Sequence, residues 1–410
     1  MAYLELDIDI SKEAQAIHKE VQKFSKDVMR PAGIELDKLQ DPADVYASGS
    51  VYWDVVKGYR ELGLHATSFP KELGGMADDM DPKVGPMISE TMGHADAGLQ
   101  ISLGVSVMPF YIATLSAEPA MQNMVKDYIN DTNGNIIGCW AITEPQHGSD
   151  GILGINPKFD DPNCGYDLIA ELKGDEYILN GQKAAWVSNG TIATHASLHV
   201  TLDPSKGMQG SGICVIPLDL PGISRGKPLD KIGQRPLNQG EIFFQDVKIP
   251  KSHMIVADSA TSTMVAKMVL TAANGGMGQT FVGLAQAAYD EAFTYAKQRI
   301  QGGVPIFEHK NIKLQLFSMF TKVEAARALT RRVNYHNRNV PPGSLPHAIA
   351  SKILSTNTSF EVASEAISVF GGNGLAREYV IEKIFRDARA SMIEDGENNA
   401  LAIGGADDLI

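Results

Sequence analysis

The stretch Trp140-Ala141-Ile142-Thr143-Glu144-Pro145-Gln146-His147-Gly148-Ser149-Asp150 lies where one sequence pattern ends and another begins. Its Pro and Gly residues call for a turn. Its Thr and Ser hydroxyls, with the backbone N–H groups that such a turn exposes, suit a flat polar ring or a phosphate. Upstream, from Ser11 to about Asn130, apolar residues recur in steps of three or four, as at Ile17, Val21, Phe24 and Val28, which puts them on one helical face. Ser11 is an N-cap candidate. Further helices are expected over about Val55 to Leu62, Pro86 to Val105 and Pro119 to Tyr128, divided by breaks such as Lys71-Glu72-Leu73-Gly74-Gly75. Downstream, between about Ile136 and Pro250, short β-branched and aromatic runs replace the helical period: Tyr177-Ile178-Leu179, Ile213-Cys214-Val215-Ile216 and Ile242-Phe243-Phe244. They read as a small antiparallel sheet or barrel.

From about Ser259 helical patterns return, with Ile312, Leu316, Met319, Phe320, Val323 and Ala326 as one expected buried stripe. Pro341-Pro342-Gly343 forces a turn, and helices are expected over about Leu345 to Val369 and Glu378 to Leu401. Four long helices suggest a bundle. The expectation is an α+β chain of three parts: a helical domain over 1–135, a β domain over 136–252 and a helical bundle over 253–410.

The chain has 410 residues, 44% hydrophobic and 21% charged, enough for a large core. Its net charge of -13 argues against nucleic acid or an anionic membrane surface as the main partner. Cys139, Cys164 and Cys214 form no paired metal or redox spacing. The opening residues show neither a signal peptide nor a transit peptide, and no run reaches the roughly 18 apolar residues of a membrane span. A cytoplasmic protein is expected. His195 and His199 fall in strand-like sequence, so no metal site is expected from them. No strand is followed by a Gly-x-Gly-x-x-Gly turn, which argues against a Rossmann-type dinucleotide site.

A second local signal is Gly181-Gln182-Lys183-Ala184-Ala185-Trp186-Val187-Ser188-Asn189-Gly190, an aromatic followed two residues on by a hydroxyl. Four more segments occur in order: Lys231-Ile232-Gly233-Gln234-Arg235 leading to Phe244-Gln245-Asp246-Val247-Lys248-Ile249-Pro250; Gly283-Leu284-Ala285-Gln286; Phe370-Gly371-Gly372-Asn373-Gly374; and Arg386-Asp387-Ala388-Arg389. Together with Thr143 to Asp150, this series resembles the acyl-CoA dehydrogenase family over nearly the whole chain. The resemblance implies a helical domain, a β domain and a four-helix bundle. The pattern reading reaches the same three blocks independently.

The resemblance further implies FAD as cofactor, an acyl-CoA thioester as substrate, an electron-transfer flavoprotein as acceptor and a homotetramer built as a dimer of dimers. Matched flavin-side positions are Trp140, Ile142, Thr143, Gly148, Ser149, Trp186 and Ser188, with Thr143 and Ser188 bonding the ring. Arg299, Gln301, Gly371 and Gly372 match the region that reaches the FAD of a neighbouring subunit. His147, Ser368, Gly302 and Asn274 stand where a small residue, Gln, Phe and Arg are usual.

After Arg386-Asp387-Ala388-Arg389 the family carries a catalytic Glu-Gly-Thr run. This chain has Ile393-Glu394-Asp395-Gly396-Glu397, and the register puts Asp395 at the base position. Glu394, Gly396, Ser149 and Thr91 are the implied substrate contacts. Asp is one methylene shorter than Glu, about 1.5 Å of reach. A branched or ring-held α-carbon would restore the contact. That resembles the alicyclic acyl-CoA dehydrogenases, in which a carboxylate at the position of Thr91 serves 1,4-elimination. Thr cannot do so, and Ala273 offers no carboxylate at the other position used by relatives. A 1,2-elimination from cyclohexane-1-carboxyl-CoA is therefore expected. The alternatives are a branched or short-chain acyl-CoA, cyclohex-1-ene-1-carboxyl-CoA, an acyl-CoA oxidase and a non-catalytic acyl-CoA binder.

Overall fold

The computed structural model describes residues 4–151 and 161–409. Helix α1 (Lys12–Phe24) opens at Ser11, whose Oγ accepts the Ala14 N–H at 3.1 Å. It passes through a wider turn, Ser25–Met29, into α2 (Arg30–Asp37). Helices α3 (Val51–Glu61), α4 (Val84–Ala95), α5 (Ala97–Val105), α6 (Met108–Ala113) and α7 (Pro119–Asn130) complete this block. The helix expected over Pro86 to Val105 is two helices. Asp96 takes up extended geometry and its Oδ1 accepts the Leu99 N–H at 2.8 Å, a cap in mid-run.

The strands are β1 (Gly138–Ala141), β2 (Ile169–Lys173), β3 (Glu176–Ser188), β4 (His195–Thr201), β5 (Ser211–Pro217), β6 (Ile223–Arg225), β7 (Gln239–Pro250) and β8 (Met254–Val256). They form one sheet in the order β6-β7-β3-β2-β4-β5-β8. The expected antiparallel sheet is present with one departure. Along one edge of β4, β1 runs parallel to it and β2 adds a single parallel pair, Ile169 with Thr201. A parallel pair needs a long connection, and more than 50 residues of chain separate β1 from β4 here, as the numbering shows. The sheet also extends to Val256, past the boundary expected at residue 252, because β8 pairs with β5.

One core joins the first helices to the sheet, with Val55, Val56, Leu99 and Leu103 in the same cluster as Leu179, Val187, Leu198 and Ile242. A second core lies inside the C-terminal bundle. The bundle comprises α8 (Ser259–Gln298), a hairpin of β9 (Ile300–Gln301) and β10 (Val304–Pro305), α9 (Lys310–Asn339), α10 (Leu345–Phe370), α11 (Ile381–Ala390) and α12 (Asn398–Asp407). The helix expected over Glu378 to Leu401 is therefore broken. Asp395 at φ +50° and Gly396 at φ +101° cannot belong to a right-handed helix. Phe320 also departs from the expected stripe: it is 40% exposed, whereas Leu316, Met319, Val323 and Ala326 are buried. It sits one step round the helix from Met319, at the rim beside Tyr289.

Two close approaches fix how the blocks meet. A Cβ on Gly93 would lie 2.2 Å from the Thr280 carbonyl oxygen, and one on Gly283 2.0 Å from that of Glu90, so α4 and α8 touch backbone to backbone. A Cβ on Gly233 would lie 2.4 Å from the Arg386 carbonyl oxygen. The loop Lys231-Ile232-Gly233-Gln234-Arg235 is thereby docked on α11. The Arg386 guanidinium reinforces this by donating to the Ile232 carbonyl at 2.8 Å while pairing with Asp37 at 2.6 Å.

Candidate active site

The β3–β7 ladder loses register between Lys183 and Val187, so Ala184, Ala185 and Trp186 bulge from it. The Ala184 N–H turns to the Thr143 carbonyl at 2.8 Å. That bond sets Thr143 beside the end of β3, with Ser188 two residues past the bulge. Trp186 is 58% exposed, a large aromatic face without cover. Trp140 is turned the other way, its Nε1–H donating to His199 Nε2 at 2.9 Å, and Ile142 is buried with Tyr166 and Met208. Among the described residues the Thr143 hydroxyl has no hydrogen-bond partner, and the Ser188 hydroxyl accepts one bond, from Gln239.

Glu144 anchors the turn from below. It is buried against the Lys183 ammonium at 2.6 Å and accepts the Leu168 N–H at 3.0 Å. His147 pairs with Asp150 at 2.8 Å, which with the Gly148 N–H holds the Asp150 carboxyl below its ordinary range against the opposing effect of burial. Glu144, His147 and Asp167 offer atoms close enough for a metal ion. Glu144 is already satisfied by Lys183 and two backbone N–H groups.

Ser149 links this turn to the other expected site. Its Oγ accepts the Glu397 N–H at 3.0 Å, so the signature turn touches the segment holding Asp395. Burial pushes the Asp395 carboxyl upward, opposed by the positive charge of Lys352. Burial likewise raises Glu394 to about 7, although the Gln234 Nε2–H donates to it at 2.9 Å and Lys231 opposes the shift. Lys231 is lowered to about 8 by burial and donates to the Leu237 carbonyl at 2.7 Å and to Gln239 Oε1 at 2.9 Å. Gln239 in turn donates to Ser188 Oγ at 3.3 Å. The 231–239 loop thus ties a hydroxyl on β3 to Glu394 of the 391–397 turn. Among the described residues, the N–H groups of Glu394, Asp395 and Gly396 have no hydrogen-bond partner. Successive free N–H groups in a left-handed turn form a site for a partial negative charge.

Arg299, Gln301, Gly371 and Gly372 make a second group on other elements. The Tyr295–Phe370 ring stack, 4.0 Å between centroids, holds the last turn of α8 beside that of α10, and all four residues are exposed. Thr91 is not brought to Asp395. Its Oγ1 is bonded to His18 Nε2 at 2.8 Å, on the side of α4 that faces α1.

Sequence models of the N-terminal, middle and C-terminal domains of acyl-CoA dehydrogenase match residues 11–128, 139–247 and 263–407. The chain belongs to the acyl-CoA dehydrogenase family. This acyl-CoA dehydrogenase is similar to the short-chain specific enzyme of Megasphaera elsdenii, 30% identical over 84% of this chain and 87% of that one. It resembles the solved butyryl-CoA dehydrogenase of the same organism at TM-score 0.86, 26% identity, and coverage of 98% and 100%. A chain from the structure of the electron transferring flavoprotein of Acidaminococcus fermentans matches at TM-score 0.86, 25% identity, and coverage of 99% and 100%. As a family member the acyl-CoA dehydrogenase is an FAD-dependent oxidoreductase acting on CH–CH bonds. The uncovered Trp186 face flanked by Thr143 and Ser188 fits a flavin ring. No helix of the described residues is long and apolar enough to cross a membrane.

Sequence reading passed over Gln239 and Lys352. Gln239 gave no signal of its own. Lys352 did: it lies at helical spacing among Ala348, Ile349, Ser355 and Thr356, all buried, which is no place for a solvated lysine.

Proposed function

We propose that this enzyme removes hydrogen across the Cα–Cβ bond of an acyl-CoA thioester whose acyl group is alicyclic or α-branched, cyclohexane-1-carboxyl-CoA to cyclohex-1-ene-1-carboxyl-CoA foremost. The observation that carries this is the 394–397 turn: a desolvated Asp395 beside unpartnered backbone N–H groups, joined to the flavin-side turn through Ser149. Asp395 takes the α-proton as general base, and desolvation strengthens it for that task. The electron pair of the broken C–H bond moves toward the thioester carbonyl, whose growing charge the Asp395 N–H receives. FAD, when bound, supplies the acceptor for the β-hydrogen and its electron pair. Thr143, Trp186 and Ser188 orient its ring, while Gly148 and Ser149 bound the ligand from the turn.

A threonine at position 91 cannot act as the base for 1,4-elimination, which leaves 1,2-elimination as the reading. Arg299, Gln301, Gly371 and Gly372 serve the FAD of a second subunit in a dimer of dimers, and an electron-transfer flavoprotein takes the electrons. A second reading, a short straight-chain acyl-CoA, is favoured by the similarity to short-chain specific relatives. Anaerobic flavin bleaching across cyclic, branched and straight acyl-CoA thioesters decides between them. Fastest bleaching by a butyryl thioester would replace the first reading by the second, and none by any thioester would refute both.

A further inference from the structure

Lys352 is fully buried on α10, and its ammonium makes no ion pair among the described residues. Nζ donates to the Gly396 carbonyl at 2.8 Å and to Asn398 Oδ1 at 2.7 Å, both neutral acceptors. Asn398 is itself fixed, its Nδ2 donating to Thr356 Oγ1 at 3.0 Å and Asn357 Oδ1 at 3.1 Å. Thr356 is tied back to the Lys352 carbonyl at 2.9 Å. A buried ammonium without an adjacent carboxylate is costly to keep, and a methionine would fill the same stem volume.

The charges facing Lys352 are those of the catalytic turn: Asp395, Glu394 and Glu397. On the α8 side the group against the turn is Asn274, neutral, with Nδ2 at 3.5 Å from the Asp395 carbonyl. On the loop side Lys231 and Gln234 face Glu394. Lys352 is thus the cation that answers the Asp395 carboxylate.

We infer that Lys352 is a positioning residue of the reaction: its ammonium pins the left-handed Asp395–Gly396 turn by its carbonyl and supplies the charge that keeps Asp395 ionised in a desolvated site. This rests on the reading of Asp395 as the base. Burial lowers Lys352 to about 8, with Asp395, Glu394 and Glu397 opposing the shift, so its charge titrates within a measurable range. Between the pKa of Asp395 and that pH the cation is present and Asp395 is ionised. Above it the counter-charge is lost, and the neutral amine donates more weakly to the Gly396 carbonyl.

The test is the pH profile of anaerobic single-turnover flavin reduction in the FAD-loaded protein, with the best acyl-CoA of the bleaching screen. In the unmodified protein the rate should fall on the alkaline side with a limb near pH 8. A rate flat from neutral to strongly alkaline pH would overturn the inference without any variant. In Lys352→Met the acid limb should move upward by about one pH unit or more, the shift an opposite charge typically exerts, and the limb near 8 should vanish. Lys352→Arg keeps a charge that does not titrate, so it should hold the acid limb in place while removing the alkaline one. KM should change less than the rate constant in both. Asp395→Asn separates the two readings. An inactive Asp395→Asn with unmoved limbs in Lys352→Met sinks the lysine role alone, whereas an active Asp395→Asn sinks the base assignment itself.

Discussion

Replacing Asp395 by Asn should destroy activity without harming the fold, and the structure says why the two effects separate. Among the described residues the Asp395 carboxylate accepts no hydrogen bond; only its backbone carbonyl is contacted, by Asn274 at 3.5 Å. Burial raises its pKa, with Lys352 opposing. A carboxyl raised on folding contributes stability that is complete below its unfolded value and is lost as pH rises through the folded one. At neutral pH, ionised Asp395 therefore weighs against folding. The near-isosteric amide removes that burden while keeping the turn, so Tm at pH 7 should be equal or higher. Loss of a general base costs on the order of 10²–10⁴ in rate, about 2.7–5.5 kcal/mol of barrier at 1.36 kcal/mol per tenfold. Anaerobic stopped-flow reduction of the flavin measures the rate, and calorimetry the stability. More than about a tenth of the wild-type rate, given the lower end of that range, or a Tm several degrees lower, would refute the assignment. Asp395→Glu adds about 1.5 Å of reach. It should slow cyclic and α-branched thioesters and quicken straight ones; a wild type that already prefers straight chains removes the alicyclic proposal.

Trp186→Ala should leave stability nearly unchanged, because the ring is 58% exposed, yet weaken FAD retention about two- to tenfold, the worth of one aromatic contact; equal retention in equilibrium dialysis would take Trp186 out of the flavin site. Gly233→Ala places a Cβ 2.4 Å from the Arg386 carbonyl oxygen, and should cost about 1–3 kcal/mol in chemical denaturation while loosening the loop that bonds Glu394. A neutral result there would mean that the 231–235 loop is not seated on α11. Glu394 is raised by burial from 4.5 to about 7, so its stabilisation is present below 4.5 and fades as pH rises through 7. The Tm of Glu394→Gln should accordingly fall less than that of wild type between pH 5 and 8, and parallel curves would contradict the shift.

Much of this protein was decided along the chain itself. The change of period from 3.6 to 2 near Trp140 and back near Ser259 marks the three blocks, because amphipathic helices and half-buried strands must each keep one apolar face. Counting from Arg386 against the family pattern points to Asp395, and Pro145 and Gly148 mark the turn that carries Ser149. Local pattern could not show the break at 391–397, since Ile393, Leu401 and their neighbours are spaced well enough for a helix. Besides the local bond from the Asn398 N–H to the Met392 carbonyl, contacts from distant residues hold the turn that puts Asp395 at φ +50°: Lys352 from α10, Asn274 from α8, Ser149 from the signature turn. The placement of Thr91 toward His18, the uncovered face of Trp186 and the burial of Lys352 are likewise matters of which surfaces pack together. A side chain's partner, and with it its charge state, is set by neighbours far away in sequence. These were fixed only when the loop at Gly233 met α11 and α4 met α8 at Gly93 and Gly283.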